Sequence, residues 1–277
     1  MIKQKNICNL CPHNCHIQLN KTGICGVRRF DGQQVISATY GKVSGMAFDP
    51  IEKKPLCRFY PGSNILSIGS FGCNLSCPFC QNYRIAKEFG QYPYEIYKPT
   101  EIADLALQAK SRGNIGVAYT YNEPLVGYEF VLDCAKEVKK LGLQNVLVTN
   151  GYLNQEPLLK LLPHIDAMNI DLKGFRQDFY KKLGGSLEPV LHFIETAAES
   201  CHVELTCLII PDENDSIEEM KEMTTWIASL NPEIPLHISR FFPQYRYAHK
   251  AITPREHILK LAQIAREKLK YVYLGNC

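Results

Sequence analysis

The sequence lacks several features that would place the protein at a membrane or on a nucleic acid. No apolar run is long enough to span a bilayer, and the first eight residues, Met1 to Cys8, lack the apolar core of a secretory signal. There is no basic tail, and 31 basic against 28 acidic residues give a net charge of only +3. We therefore expect a cytoplasmic protein without a membrane partner, and nothing indicates that it binds nucleic acid.

Two further absences concern chemistry and organisation. The sequence has no Ser-His-Asp or Gly-x-Ser-x-Gly arrangement of the kind that activates a nucleophilic serine. It has no low-complexity linker and no internal repeat beyond an alternation of apolar and helical segments. Its 277 residues, 45% hydrophobic and 21% charged, suit one large α/β barrel or two modest domains.

Cysteine, by contrast, is abundant, with twelve residues. In a reducing compartment this number indicates metal or redox chemistry more than disulfides. Seven of the cysteines form two groups, namely Cys8, Cys11, Cys15 and Cys25 near the start, and Cys73, Cys77 and Cys80 further on. Of the others we expect four to be packed thiols in apolar surroundings and leave the role of the last one open: Cys57, Cys134, Cys201 and Cys207, and then Cys277.

From about Asn64 onward, short apolar runs alternate with helical patterns. The predicted strands are 65–69, 115–119, 145–149, 167–171, 203–210 and 236–241, and the predicted helices are 125–140, 157–162, 187–200, 216–230 and 254–270. Apolar strands that alternate with helices indicate a parallel sheet covered by helices. Six such units predict an α/β fold of the partial (β/α)6 TIM-like barrel type, with active residues at the carboxyl ends of the strands.

Residues 1–60 follow a different pattern. They contain the first cysteine group and then a hairpin signal at Phe30-Asp31-Gly32, where Asp-Gly indicates a tight turn. We predict a small cysteine-rich metal-binding module at 1–60 and the barrel at 61–277.

The second cysteine group lies within eight residues, with Cys73, Cys77 and Cys80 separated by three residues and then two. Three thiolates can hold three corners of an iron–sulfur cube and leave the fourth iron open for a ligand that reacts there. The alternative is a structural zinc ion that takes a distant fourth ligand.

Polar residues follow the predicted strands one after another. They are Thr120 to Pro124, Thr149 to Gly151, Asp171 to Lys173 and Pro211 to Asp215, with His237 inside the sixth strand. Turn chemistry alone could account for any one of these clusters. It is a poor explanation for five in succession beside a three-cysteine loop, so we expect a shared site.

These blocks resemble the radical S-adenosylmethionine (radical SAM) superfamily, and within it the branch of the pyruvate formate-lyase activating enzymes. The three-cysteine motif carries the superfamily resemblance. The sequence is most similar to the AmmeMemoRadiSam-system proteins through further blocks at 8–15, 49–56, 59–62, 169–173, 208–211 and 235–243.

The resemblance implies that Cys73, Cys77 and Cys80 hold a [4Fe–4S] cluster whose open iron chelates S-adenosylmethionine. It assigns the binding of that cofactor to Phe79, Asn122, Glu123, Thr149, Asn150, Asp171, Lys173 and His237. It also implies reductive cleavage of the cofactor to a 5′-deoxyadenosyl radical, hydrogen abstraction from a substrate, and a reductant such as flavodoxin or ferredoxin. Val148 stands where the formate-lyase activases carry an acidic residue beside a monovalent cation, so we predict no such cation.

The four cysteines near the start could bind zinc or a second iron–sulfur cluster, since each accepts four thiolates. We favour a structural role because the site is closed and lies outside the predicted barrel.

Three functions remain open at the level of sequence. The chain is an enzyme that modifies a small molecule, protein or RNA together with Memo-like and AMMECR-like partners, an activase that forms a glycyl radical on a partner protein, or a non-catalytic zinc-bearing binding protein. We favour the first. Five residues after or within the last strand either contact the substrate or are packed: Arg240, Phe241, Phe242, Tyr245 and Arg246.

Overall fold

A computed structural model describes residues 5–277. The part of the N-terminal predictions that concerns residues 1–4 lies outside them. The strands are β1 (Arg28–Phe30), β2 (Val35–Ser37), β3 (Lys42–Val43), β4 (Gly45–Pro50), β5 (Asn64–Gly69), β6 (Glu95–Ile96), β7 (Asn114–Tyr119), β8 (Gln144–Thr149), β9 (Ala167–Asp171), β10 (His202–Ile209), β11 (Leu236–Arg240) and β12 (Val272–Gly275). The α-helices are α1 (Tyr83–Ala86), α2 (Pro99–Gln108), α3 (Tyr128–Lys140), α4 (Gln155–Leu161), α5 (Gln177–Lys182), α6 (Leu187–Ala198), α7 (Ile217–Leu230) and α8 (Arg255–Arg266).

The main sheet has eight strands in the order β12-β11-β10-β9-β8-β7-β5-β4. All neighbours are parallel except β4, which pairs with β5 in the antiparallel sense. The predicted α/β fold and its six strands are confirmed. The sequence patterns missed β4 and β12, which close the two edges of the sheet.

Helices cover one face of this sheet. Helix α6 buries Val190, Phe193, Ile194 and Ala197, a spacing that places them on one side of a helix. Helix α7 begins after Ser216, whose hydroxyl accepts a hydrogen bond from the backbone N–H of Glu219 at 3.1 Å. The helices therefore leave the opposite face of the sheet as the inside of the partial barrel.

A segment that follows β4 fills part of the interior of the partial barrel. Ile51 and Leu56 are fully buried against Ile65, Ala118 and Val146 on the inner face of the strands. Strands β9 and β10 also bind this segment through polar side chains. Asn169 donates to the carbonyl of Pro55 at 2.8 Å, and Glu204 accepts from the backbone N–H of Arg58 at 2.7 Å. We call residues 51–58 the plug segment.

The predicted hairpin is present. Strands β1 and β2 pair antiparallel with Phe30 opposite Val35, and Asp31 Oδ1 accepts backbone hydrogen bonds from Gln33 and Gln34 in the turn. The division at residue 60 stays a prediction, and β4 and the plug segment, which precede residue 60, belong to the main sheet and its interior. Across residues 5–277 no helix has the length and apolar character needed to cross a membrane.

Candidate active site

A cavity of ≈ 370 Å³ opens at the carboxyl ends of the strands, above the plug segment. Its walls come from the inner face of the sheet and from the loops after β5, β7, β8 and β9. The predicted residues that line it are Cys73, Cys77, Phe79, Cys80, Asn122, Glu123, Thr149, Asn150, Asp171 and Lys173. The topology thus brings ten of the eleven predicted residues of this site together, as expected where parallel strands end at one edge.

Three thiols face this cavity, those of Cys73, Cys77 and Cys80, and its described lining includes no other cysteine and no histidine. Burial raises the pKa of Cys77 to about 11 and that of Cys73 further still. Thiols whose pKa is raised in this way are protonated at neutral pH unless a cation binds them. Three thiols on a cavity whose described lining holds no fourth cysteine and no histidine fit a cluster with an open corner.

Hydrogen bonds from the loop that follows β7 hold the cysteine loop, which carries Cys73, Cys77 and Cys80. Asn122 Oδ1 accepts a hydrogen bond from the backbone N–H of Ser70 at 2.9 Å, and its Nδ2 donates to the carbonyl of Gly72 at 3.1 Å. Tyr121 adopts a left-handed backbone with φ of 72°, which turns the chain sharply between β7 and Asn122. Asn122 therefore positions the loop that carries Cys73.

Glu123 is buried, and its carboxylate receives three hydrogen bonds. The donors are Leu125 N at 3.0 Å and Thr149 Oγ1 at 2.8 Å, both on Oε1, and Asn150 N at 2.8 Å on Oε2. Burial raises the pKa of Glu123 to about 7 in spite of these donors. The carboxylate retains lone pairs on the cavity side, so it can still accept from an ammonium group.

Asn150 connects the β8 loop with the cysteine loop. Its Nδ2 lies 2.9 Å from Asn74 Oδ1 and 3.6 Å from Cys73 Sγ. On the next strand, Lys173 Nζ lies 3.0 Å from Asp171 Oδ2. Burial acts to lower the pKa of Lys173, but the charges of Asp171 and Cys77 outweigh it and the pKa is raised. Lys173 is thus a fixed cation beside the cysteines.

Phe79 is nearly buried, and its ring stacks on Phe179 with 6.3 Å between centroids. This buried stacking contact explains why an aromatic residue precedes Cys80. His237 does not line the cavity, because its Nε2 lies 2.6 Å from Glu204 Oε2 deeper inside the barrel. The geometry gives no support to the predicted contact of His237 with the cofactor.

Several residues that line the cavity had no role predicted from the sequence: Lys53, Lys54, Thr206, Ser239 and Asn276. Lys54 is buried, lies 2.9 Å from Asp49 Oδ2, and is 4.9 Å from the ring centroid of Tyr121. The Asp49 to Leu56 block was recognised as a motif, but no feature of its local sequence indicates that it lies inside the barrel.

The candidate substrate residues after β11 divide into two groups. Phe241 is buried beside Phe79 and Phe179 and is a packed side chain. Phe242 is exposed, and the Tyr245 ring stacks on Tyr83 with centroids 4.4 Å apart. Contact with a substrate stays a prediction for Phe242 and for the other three candidates, Arg240, Tyr245 and Arg246.

The four cysteines near the start line a second, separate cavity. Leu10, Leu125, Val126 and Leu153 supply an apolar wall. The cysteines in that cavity are Cys8, Cys11, Cys15 and Cys25. Burial raises the pKa of Cys11 to about 11. The predicted grouping of these four thiols is therefore present in three dimensions.

A partial α/β barrel whose open end carries three half-buried thiols and a ring of polar strand-end residues defines a class of enzyme that works with a bound iron–sulfur cofactor. The sequence profile of the Radical SAM superfamily matches residues 67–224. The chain belongs to the radical SAM superfamily. Membership implies a [4Fe–4S] cluster and S-adenosylmethionine and indicates an enzyme, against the alternative of a non-catalytic zinc-bearing protein.

Individual relatives agree with this assignment. An uncharacterised protein of Methanocaldococcus jannaschii is 41% identical over 274 residues, which cover 97% of this chain and 80% of the relative. The pyruvate formate-lyase-activating enzyme of Clostridium pasteurianum is 27% identical over 166 residues, or 57% of this chain and 67% of that enzyme. A solved domain of pyruvate-formate lyase-activating enzyme from Bacteroides vulgatus shares the fold, with a TM-score of 0.51 and 21% identity over 58% of this chain and 99% of that chain.

Proposed function

We propose that this enzyme cleaves S-adenosylmethionine reductively in the 370 Å³ cavity and abstracts hydrogen from a substrate. The observation that carries the proposal is the set of three thiols, and no fourth among the described residues, on a cavity ringed by strand-end polar groups. Cys73, Cys77 and Cys80 would hold the [4Fe–4S] cluster. When bound, cluster and cofactor supply a 5′-deoxyadenosyl radical, and this chemistry belongs to the cofactor rather than to a protein base or nucleophile.

The protein's own residues would bind and orient the cofactor. Glu123 faces the cavity with a carboxylate held rigidly by three donors and suits the methionyl ammonium. Lys173, fixed by Asp171, suits the methionyl carboxylate. The apolar ring of Phe79 suits the adenine. One fixed anion, Glu123, and one fixed cation, Lys173, complement the ammonium and carboxylate groups of an amino acid. Their presence in one cavity supports an amino-acid head group as the ligand.

The test is a comparison of Cys77→Ala with Cys57→Ala after anaerobic purification. Wild type and Cys57→Ala, whose thiol lies away from both cysteine cavities, should form 5′-deoxyadenosine from S-adenosylmethionine and dithionite. Cys77→Ala should form none, because two thiolates hold a cluster poorly. Product formation by Cys77→Ala at the wild-type rate would remove Cys77 from the site.

For the substrate we favour a small molecule, protein or RNA that is modified together with Memo-like and AMMECR-like partners, since the blocks at 8–15 and 49–56 resemble that system. The relative named as a pyruvate formate-lyase-activating enzyme supports the second candidate, a glycyl-radical activase. Both would draw electrons from a reductant such as flavodoxin or ferredoxin. Neighbouring genes separate the two, because a glycyl-radical enzyme beside this gene favours the activase and Memo-like and AMMECR-like genes favour the other.

A further inference from the structure

The cavity lined by Cys8, Cys11, Cys15 and Cys25 brings all four thiols to one place, and about 10 Å³ of it is open to the centre of a water molecule. Four thiolates complete the coordination of a zinc ion or of a [4Fe–4S] cube, so the donor set alone fits both. The surroundings of the thiols and their position beside the catalytic cysteine loop favour the cube.

The surroundings of the four thiols suit an iron–sulfur cube. The wall of Leu10, Leu125, Val126 and Leu153 is apolar, as is common around clusters whose potential depends on exclusion of water. Arg28 also lines the cavity, with its guanidinium paired to the carboxylate of Glu129.

The same cavity adjoins the catalytic cysteine loop along two routes. Gly72, next to Cys73, lies so close to Cys25 that a Cβ on Gly72 would be 2.7 Å from the Cys25 carbonyl oxygen. Asn74, on the other side of Cys73, lines the four-cysteine cavity beside Cys11. Its carbonyl also lies 2.8 Å from His13 Nε2. Cys73 is therefore flanked on both sides by residues that contact the other site.

We propose that Cys8, Cys11, Cys15 and Cys25 bind a second [4Fe–4S] cluster through which an electron enters the catalytic site. Cys11 and Cys15 are partly exposed, so a soluble donor can approach this cluster from solvent. A low-potential one-electron donor, such as flavodoxin or ferredoxin, is oxidised, the second cluster is reduced and then reoxidised, and the electron passes to the catalytic cluster. The entry role rests on the proposed function, whereas the metal content does not.

The first test counts metals in the wild-type protein after anaerobic reconstitution. We expect about eight irons per chain and no zinc. About four irons and one zinc would overturn the proposal. A Cys77→Ala variant should keep about four irons in the second site. If wild type and Cys77→Ala both hold four irons and no zinc, the second cluster stands and the proposed catalytic cluster fails.

The second test uses Cys11→Ala/Cys15→Ala. This variant should lose about four irons and keep an electron paramagnetic resonance signal from the catalytic cluster that S-adenosylmethionine perturbs. We expect formation of 5′-deoxyadenosine to fall at least tenfold with reduced flavodoxin but to persist with dithionite, a small donor that reaches the catalytic cavity directly. An equal fall with both donors would show a structural site rather than an electron entry point. Retention of all eight irons would overturn the ligand assignment.

Discussion

At the residue scale, a single glycine sets how closely the N-terminal cysteine group approaches the catalytic loop. Gly72 has φ of 87°, and an added Cβ would lie 2.7 Å from both the Cys25 carbonyl oxygen and a methyl of Val27. Backbone atoms of Cys25 cannot move aside as a flexible side chain can. The position therefore requires glycine for two independent reasons, its left-handed conformation and its lack of volume.

We predict that Gly72→Ala lowers the free energy of unfolding by at least about 2 kcal/mol, from strain and collision together. Gly62→Ala is the matched control, because Gly62 has φ of 80° but nothing within 4 Å of an added Cβ. The control should lose only about 1 kcal/mol from its backbone conformation. Urea unfolding of both variants measures the difference, and equal losses would show that the Cys25 contact is unimportant.

A second residue-scale effect concerns Glu204, which is fully buried. Burial alone would raise the pKa of Glu204, but hydrogen bonds from His202, His237, and the backbone of Cys57 and Arg58 lower it to about 2. A carboxyl with a depressed pKa stabilises the fold above its unfolded pKa of about 4.3, and that stability is lost as the pH falls through the folded value.

We predict that wild type loses roughly 3 kcal/mol from this group between about pH 4.3 and pH 2, two pKa units at about 1.4 kcal/mol each. Glu204→Gln should be roughly 2–4 kcal/mol less stable at pH 7, because an amide cannot accept from all of these donors. Its stability should change less over the acid range. Thermal unfolding at several pH values provides the measurement, and parallel pH profiles for the two proteins would contradict the role of Glu204.

At the element scale, strand β4 and the plug segment depend on one buried ion pair. Lys54 is 3% exposed and lies 2.9 Å from Asp49 Oδ2. Tyr121 donates to the same oxygen at 2.9 Å, which ties the edge strand to the loop after β7. Lys53 reaches Asp49 Oδ1 at 3.5 Å, but its side chain is 68% exposed. Two adjacent lysines therefore pair with the same carboxylate, and one of them is buried whereas the other is exposed.

We predict that Lys54→Met costs roughly 3–5 kcal/mol, because it leaves the carboxylate of Asp49 without its buried cation. Lys53→Met is the control and should change stability by less than about 1 kcal/mol, as exposed ion pairs do. Denaturant unfolding of the two variants measures the effect. Similar small losses of unfolding free energy for both variants would mean that water reaches Asp49 freely.

The elements also show what local pattern can predict. Strands β5, β7, β8, β9, β10 and β11 were predicted because both of their faces are apolar, as in buried parallel strands. Strand β4 was missed because its residues are mostly half-buried and its partner is antiparallel. Helix α2 was missed as well, although Pro99 at its first position is a start signal.

At the scale of the whole molecule, the first sixty residues contribute to the main fold. Strand β4 pairs with β5 from Gly45 opposite Gly69 to Pro50 opposite Asn64. Ile51 and Leu56 of the plug segment are fully buried inside the barrel. A cut at residue 60 would remove both contacts, so the predicted division at that point can be tested by expressing the parts.

We predict that a fragment of residues 61–277 fails to unfold cooperatively, because it lacks an edge strand and two fully buried side chains. A fragment of residues 41–277 retains β4 and the plug segment and should show a cooperative transition. Circular dichroism during heating compares them. A sharp transition for 61–277 with the midpoint of the longer fragment would instead support an independent module at 1–60.

The sequence by itself determined the parallel α/β fold, both cysteine groups and most of the cavity, because apolar strands and strand-end polar residues are local patterns that a parallel sheet carries to one edge. It could not place His237, since only the pairing of β10 with β11 brings that side chain against Glu204. Nor could it reveal that Lys54 enters the cavity or that Cys25 touches Gly72. Those contacts join residues far apart in the chain, and only tertiary packing decides them.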